Sequence, residues 1–317
     1  MARKMDVPAR RHFHKEEKRG FGRACLWVAD QAVDLVLLAV IILLVAFAVY
    51  SIWDTRQIYT SSDAARYETY KPTAEEDSPT FEELVAVNPD VLGWISIYGT
   101  GIDYPLVQGE NNDEYINKTV TGEFALGGSI FLESTNKKDF SDFNTIIYGH
   151  HMEKGEMFGD LDKFEDSAFF NEHEYGSLYY GGKMHGLHVF AMVNADAYDF
   201  TLYDPHVEGA DAQNEYLNYI MSHAKFSRDI VVQPGDHIVM LSTCAAGTNE
   251  RYVAFARIEE QVQADAFAET VDHSVRRSLN GTASASLTGE KLIAWLSAAA
   301  VALLVLYVLA RRRQQRK

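Results

Sequence analysis

The chain has 317 residues, 47% of them hydrophobic, and a formal net charge of −16. The acidity is concentrated in residues 54–289, where 39 acids face 15 bases for a net of −24. That balance lacks the basic footprint a nucleic-acid partner requires, so nucleic-acid binding is excluded.

The N-terminal residues 1–24 have the opposite balance, with eight Lys or Arg against Asp6, Glu16 and Glu17, a net of +5. Leu35 to Trp53 then gives 19 residues without a formal charge, enough to cross a hydrocarbon core of about 30 Å. The apolar run passes Ala46 and Ala48 without stopping, unlike a signal peptide, and predicts an uncleaved anchor over 25–53. Leu292 to Ala310 gives another 19 uncharged residues and predicts a second membrane helix over 291–310. Arg311, Arg312, Arg313, Arg316 and Lys317 form the closing basic tail, 311–317. Lys and Arg collect on the cytoplasmic side of spans, so both termini are expected on the cytoplasmic side of a lipid membrane and residues 54–290 on its outer side.

Asp54 to Thr80 is polar, carries Pro72 and Pro79, and reads as a stalk over 54–79. The folded domain is expected over 80–261, beginning with a short amphipathic helix at Phe81–Val87 that Asn88-Pro89 ends. Val91 to Val107 predicts a β-hairpin turning at Gly99-Thr100-Gly101. Further strands are expected at Gly127–Leu132 and Asn144–Tyr148, and one or two more over Tyr179–Ala197. Met157, Phe158, Leu161, Phe164, Phe169 and Phe170 recur at roughly helical spacing and should pack a helix onto the sheet. Tyr216-Leu217 with Ile220-Met221 marks another helix between Pro205 and Phe226. Ala, Ser, Thr and Gly dominate the return stalk, 262–290.

The last two strands carry the chemistry. Ile238, Met240 and Ser242 alternate with Val239, Leu241 and Thr243 up to Cys244, and after a short loop Arg251 opens Tyr252–Ile258. Adjacent strands joined so tightly hold the Cys sulfur and the Arg guanidinium at one end of a sheet. A fixed cation favours the nucleophilic thiolate, or steadies the oxyanion formed when a thiolate attacks an amide. The blander alternative is an inert buried Cys and a solvated Arg. The only other cysteine is Cys25, at the inner edge of the first span, so the exported part has one unpaired thiol in a disulfide-permissive space. Acyl transfer by a thiol also needs a general base. Of eleven His, His150 ends an apolar strand directly after Gly149, where a sheet presents side chains at its rim. His185 and His188 are three apart in a strand, on opposite faces, and make a poor metal pair.

Together these residues resemble the sortase family, and within it class B. The resemblance rests on Leu241-Ser242-Thr243-Cys244 followed by Arg251, on Asn144 to Met152, and on Met157-Phe158-Gly159-Asp160-Leu161. Gly93-Trp94-Ile95, Ile102-Asp103-Tyr104-Pro105 and Gly128 to Leu132 match as well. The resemblance implies a mostly β fold, an eight-stranded sortase barrel with a few helices flanked by two transmembrane helices. It also implies a membrane-anchored cysteine transpeptidase that needs no metal or organic cofactor. Cys244 would be the nucleophile, His150 the acid and base, and Arg251 the transition-state stabiliser, with Ser242 and Thr243 as substrate-contact candidates. His151 rivals His150, and Arg257 rivals Arg251 but should lie about 20 Å further along the strand. The implied partners are a surface protein or pilin bearing a C-terminal sorting signal, and an amino group of cell-wall precursor or a pilin Lys. Class B relatives favour signals beginning Asn-Pro. The helix between Pro205 and Phe226 matches the class B insertion. The second span departs from class B and is similar to the pilus-building class C, although that class's N-terminal lid motif is not evident. The alternative on the same fold is a non-catalytic surface receptor or assembly scaffold; a hydrolase using water as acceptor is a further one.

Overall fold

The structure is a computed structural model that describes residues 16–72, 79–244 and 249–268. The expected second span, the basic tails at 1–15 and 311–317, and most of the return stalk lie outside the described residues. The chain divides into two compact units, residues 1–54 with 284–317, and residues 55–283.

The first unit is described through its part of helix α1, Glu16–Ser62. From Gly22 on this helix is long and apolar enough to cross a membrane, with a mean hydropathy of 3.1 in its most apolar window. Leu35, Leu43 and Phe47 are exposed along it. An exposed apolar helix is costly in water and at rest in lipid.

The second unit is built on β-strands. They are β1 (Val91–Ile97), β2 (Asp103–Val107), β3 (Ile130–Leu132), β4 (Asn144–Gly149), β5 (Tyr175–Tyr180), β6 (Lys183–Asp196), β7 (Ala224–Ser227), β8 (Ile238–Cys244) and β9 (Glu250–Glu259). Their order is β5-β1-β2-β3-β4-β8-β9-β6, and β6 pairs back onto β5, so eight strands close a barrel. The short β7 adds to the far half of β6, which is long enough to pair with both β5 and β7. Closure removes free sheet edges.

Two pairings are parallel, β2 with β3 and β4 with β8, and the rest are antiparallel. Parallel neighbours cannot be joined by a tight turn, so each needs a long crossover. The first crossover is the loop 108–129; the second contains β5, β6, α4 (Ala210–His223) and β7.

Strand β8 is buried on both faces, which is why its sequence is apolar at successive rather than alternate positions. Val239 and Leu241 enter the barrel interior with Ile95, Leu106, Ile147, Leu178 and Ala254. Ile238 and Met240 face a second core with Phe190, Phe255 and the α4 residues Tyr216, Leu217 and Ile220. Met221, expected on the same apolar stripe, is instead exposed. The segment expected as one helix after Met157 is a 3-10 stretch, Gly159–Glu165, followed by the short α3, Ser167–Glu172. Phe164 and Phe170 still close the barrel interior, as their spacing suggested. Helix α2, Pro79–Val87, packs Phe81 and Leu84 on Trp94 and Tyr179.

The polar segment expected as a free stalk is in part packed on the barrel. Tyr67 is buried, the Ser62 carbonyl accepts from Tyr104 Oη at 3.0 Å, and Lys71 pairs with Asp103 at 2.6 Å. At the other end Phe267 stacks on His173 with ring centroids 4.8 Å apart, so packing continues past 261. A single anchoring aromatic leaves no periodic signal in a sequence, which is why both segments read as linkers.

Candidate active site

Parallel pairing makes β4 and β8 end at the same rim, and the antiparallel partner β9 begins there. Tyr148 pairs with Ser242 and Gly149 with Thr243, so His150 follows at the level of Cys244. Across the other edge of β8, Cys244 pairs with Arg251. Arg251 in turn pairs with Ala195 near the end of β6, and β6 leads into the loop carrying Phe200 and Tyr203. Four strand ends therefore meet in one place.

A cleft of about 310 Å³ opens there, lined among others by Asn112, Tyr148, His150, Tyr203, Thr243 and Arg251. Ser242 lines it as well. His150, Arg251, Ser242 and Thr243 thus line one cleft, and Cys244 is placed at its edge by its backbone. The connecting residues 245–248 lie outside the described residues.

The two histidines separate by parity. His150 Nε2 is 2.8 Å from the Ile116 carbonyl, an atom that only accepts, so Nε2 carries a proton and the neutral ring has Nδ1 as its base. The Ile116 carbonyl reaches this position because residue 128 is Gly at φ +59; a Cβ there would lie 2.2 Å from that oxygen. His151 points elsewhere, with Nε2 3.0 Å from Asp162 Oδ2 and its ring near Tyr252. It does not line the cleft.

The two arginines separate by distance along β9. Arg251 is half-buried at the cleft and forms no ion pair among the described residues. Arg257 pairs instead with His188 and Ile238 in the sheet, at the opposite end of β8, and its guanidinium engages Glu259 and the Val231 carbonyl. The expectation that it lies far from Cys244 matches the register.

Sequence reasoning missed the wall opposite. Tyr148 Oη donates to Glu133 Oε2 at 3.1 Å, and its ring stacks on Tyr203 at 6.4 Å with 9° between planes. Tyr203 Oη and Ser242 Oγ are 2.7 Å apart. Burial raises the Tyr148 phenol far above its ordinary range, and the Glu133 carboxylate adds to that, against the opposing pull of Arg251. Burial likewise pushes Tyr203 up to about 12, with Ser242 and Arg251 working against the rise. Both phenols are therefore neutral hydrogen-bonding groups at physiological pH, within electrostatic reach of Arg251. Tyr148 was discoverable, because residues i and i+2 of a strand share a face and it precedes His150 by two. Tyr203 and Asn112 arrive from loops and carry no such signal.

The family model for the sortase domain matches residues 95–259. Sortase B of Listeria monocytogenes serovar 1/2a is 33% identical over 191 residues, covering 60% of this chain and 75% of that protein. The crystal structure of sortase B from the type II pilus of Streptococcus pneumoniae is 49% identical, covering 57% of this chain and 99% of its own, with a TM-score of 0.51. A Streptococcus pyogenes class B sortase involved in pilus biogenesis is 41% identical, covering 56% and 97%, with a TM-score of 0.53.

Proposed function

We propose, from the premise that this chain belongs to the sortase family and within it to class B, that it is a membrane-anchored cysteine transpeptidase joining pilin subunits. One observation carries the reading. The register sets Cys244 beside Arg251 on one side and level with His150 on the other, at the edge of a single cleft.

In this mechanism the Cys244 thiolate attacks the Thr carbonyl of a sorting signal. Arg251, a planar fork of donors, stabilises the oxyanion that forms. The C–N bond breaks as His150 hands its proton to the departing amine, leaving a thioester on Cys244. An incoming amine then gives a proton back to His150 as it attacks the thioester, forming a new amide and expelling the Cys244 thiolate. The chemistry uses side chains alone. Ser242 and Thr243, on the cleft wall, contact the signal. A pilin lysine is favoured as acceptor over a cell-wall amine because two sortases described by their pilus association share 49% and 41% identity with this chain. Helix α1 anchors the enzyme in the membrane, with the barrel on the outer side and both termini inside.

The test is intact mass spectrometry of the full-length chain in detergent micelles with peptides carrying Asn-Pro-Ala-Thr-Gly or Leu-Pro-Ala-Thr-Gly. The wild type is expected to trap an acyl adduct that Cys244→Ala lacks, and the adduct should pass to Nα-acetyl-lysine amide when that amine is added. An equal adduct on Cys244→Ala would remove Cys244 from the mechanism, and release to water alone would make the enzyme a hydrolase.

A further inference from the structure

Glu133 lies just beyond the short β3 and is 8% exposed. Its Oε2 accepts from Tyr148 Oη at 3.1 Å and from Asn112 Nδ2. Its Oε1 lies 3.2 Å from Thr135 Oγ1 and 3.3 Å from both the Thr135 N–H and Ser134 Oγ. Among the described residues no Lys or Arg pairs with it. A buried carboxylate held only by neutral donors is costly to desolvate, and a stable core does not call for one.

What the carboxylate does is visible in its partners. Tyr148 and Asn112 both line the cleft that holds His150 and Arg251. The Tyr148 ring is fixed between Phe131, 5.4 Å away, and Tyr203. Its single hydroxyl proton goes to Glu133, so the phenol oxygen has only lone pairs left to offer the cleft. The Asn112 amide is similarly oriented, with Oδ1 accepting from the Ser134 N–H at 2.8 Å and Nδ2 donating to Glu133.

We propose that Glu133 is a positioning residue for the acyl donor: by taking the Tyr148 proton it makes the cleft wall an obligate hydrogen-bond acceptor, so the group of the sorting signal that meets Tyr148 must be an N–H or O–H donor. This rests on the transpeptidase reading above and adds to it a residue that touches neither substrate nor the reacting atoms. Glutamine is the informative replacement, because it is the same size and keeps one acceptor. Donors approach both Glu133 oxygens, so whichever end takes the new NH₂ sets donor against donor. Turned toward Tyr148, that NH₂ donates to the phenol oxygen and sends the hydroxyl proton into the cleft.

The experiment uses the full-length chain in detergent micelles and fluorogenic peptides with Asn-Pro-Ala-Thr-Gly and Leu-Pro-Ala-Thr-Gly cores. Glu133→Gln is expected to raise KM for the better peptide about tenfold, the scale of one lost charge-assisted hydrogen bond, while kcat stays within about twofold. The rate of Cys244 alkylation by iodoacetamide, which needs no peptide site, should change less than about twofold. Tyr148→Phe should raise KM similarly, and the double variant should cost less than the two single effects combined, since Glu133 acts mainly through that hydroxyl. A destabilised barrel would slow kcat and disturb alkylation as well, which separates a merely structural role. If Glu133→Gln does not fold, Tyr148→Phe decides by itself. Wild-type KM in the folded variants, or additive effects in the double, overturns the proposal while the Cys244 adduct still forms. A wild-type chain that forms no adduct overturns the transpeptidase reading and this proposal with it.

Discussion

The guanidinium of Arg251 differs from an ammonium in two respects that turnover can tell apart, a rigid planar fork of donors and a longer reach. Arg251→Lys keeps the charge near Tyr148 and Tyr203 but loses the fork. Loss of one oxyanion donor typically costs about 2.7–4 kcal/mol, so kcat is expected to fall 10²–10³-fold. Arg257→Lys is the control, because its guanidinium is engaged with Glu259 and the Val231 carbonyl at the other end of the strand. Stopped-flow turnover of the two variants checks this, and wild-type kcat in Arg251→Lys would mean that only charge matters. At this scale the meeting of His150, Cys244 and Arg251 was legible because each sits at a strand end beside a glycine or a turn. The acceptor wall was not. Glu133 follows a strand of only three residues, and its partner Asn112 comes from a loop with no period to read.

Elements with one strong pattern were read well, and elements defined by their partners were not. The β1–β2 hairpin and α4 follow from β-rich runs about a glycine turn and from 3.6-residue spacing, both local properties. The parallel β4–β8 pairing, on which the cleft depends, brings together residues about ninety apart and leaves no local trace. The start of β4 is secured by the loop before it. Asp142 accepts from the Lys137 N–H at 2.7 Å and Asn136 Nδ2 at 3.0 Å, and Asn136 Oδ1 accepts from the Ile146 N–H at 2.9 Å. Burial alone would raise the Asp142 carboxyl, but the Lys137 N–H, the Asn136 amide and the Lys137 ammonium outweigh it and hold it below its ordinary value. A depressed folded-state value means stability that is present above the unfolded value, about 3.9, and is lost as pH falls through the folded one. Asp142→Asn should therefore cost about 1–3 kcal/mol near neutral pH and progressively less below about pH 4. Thermal melts of the two chains from pH 7 to pH 2.5 test this; a gap that stays constant would refute it.

For the whole molecule, composition separated the apolar α1 from the acidic middle, since charge and hydropathy need no knowledge of contacts. It did not reveal where the barrel unit takes hold of its own ends, which depends on single residues. Lys71 of the entering segment and Asp265 of the leaving one line the same small cavity, about 180 Å³, beside Gly99 at the β1–β2 turn. Lys71 is held by Asp103, and Phe267 by the His173 ring, itself stacked on Phe169 at 3.6 Å. Entry and exit are thus neighbours, and this bears on how the unit responds to tension. Tension between residues 63 and 268 would act first on the packing of these two segments, including the buried Tyr67, the Lys71–Asp103 pair and the Phe267 ring stack, before the strand ladders. Optical-trap pulling from those two positions should show an early low-force extension of roughly 50–60 Å, the extended length of the two short segments, before any barrel strand yields. Phe267→Ala should lower the force of that first step and leave the later one unchanged; a single high-force rupture would contradict it. On that expectation the two end segments would let out slack under load while β4, β8 and β9 keep the register that sets His150, Cys244 and Arg251 together.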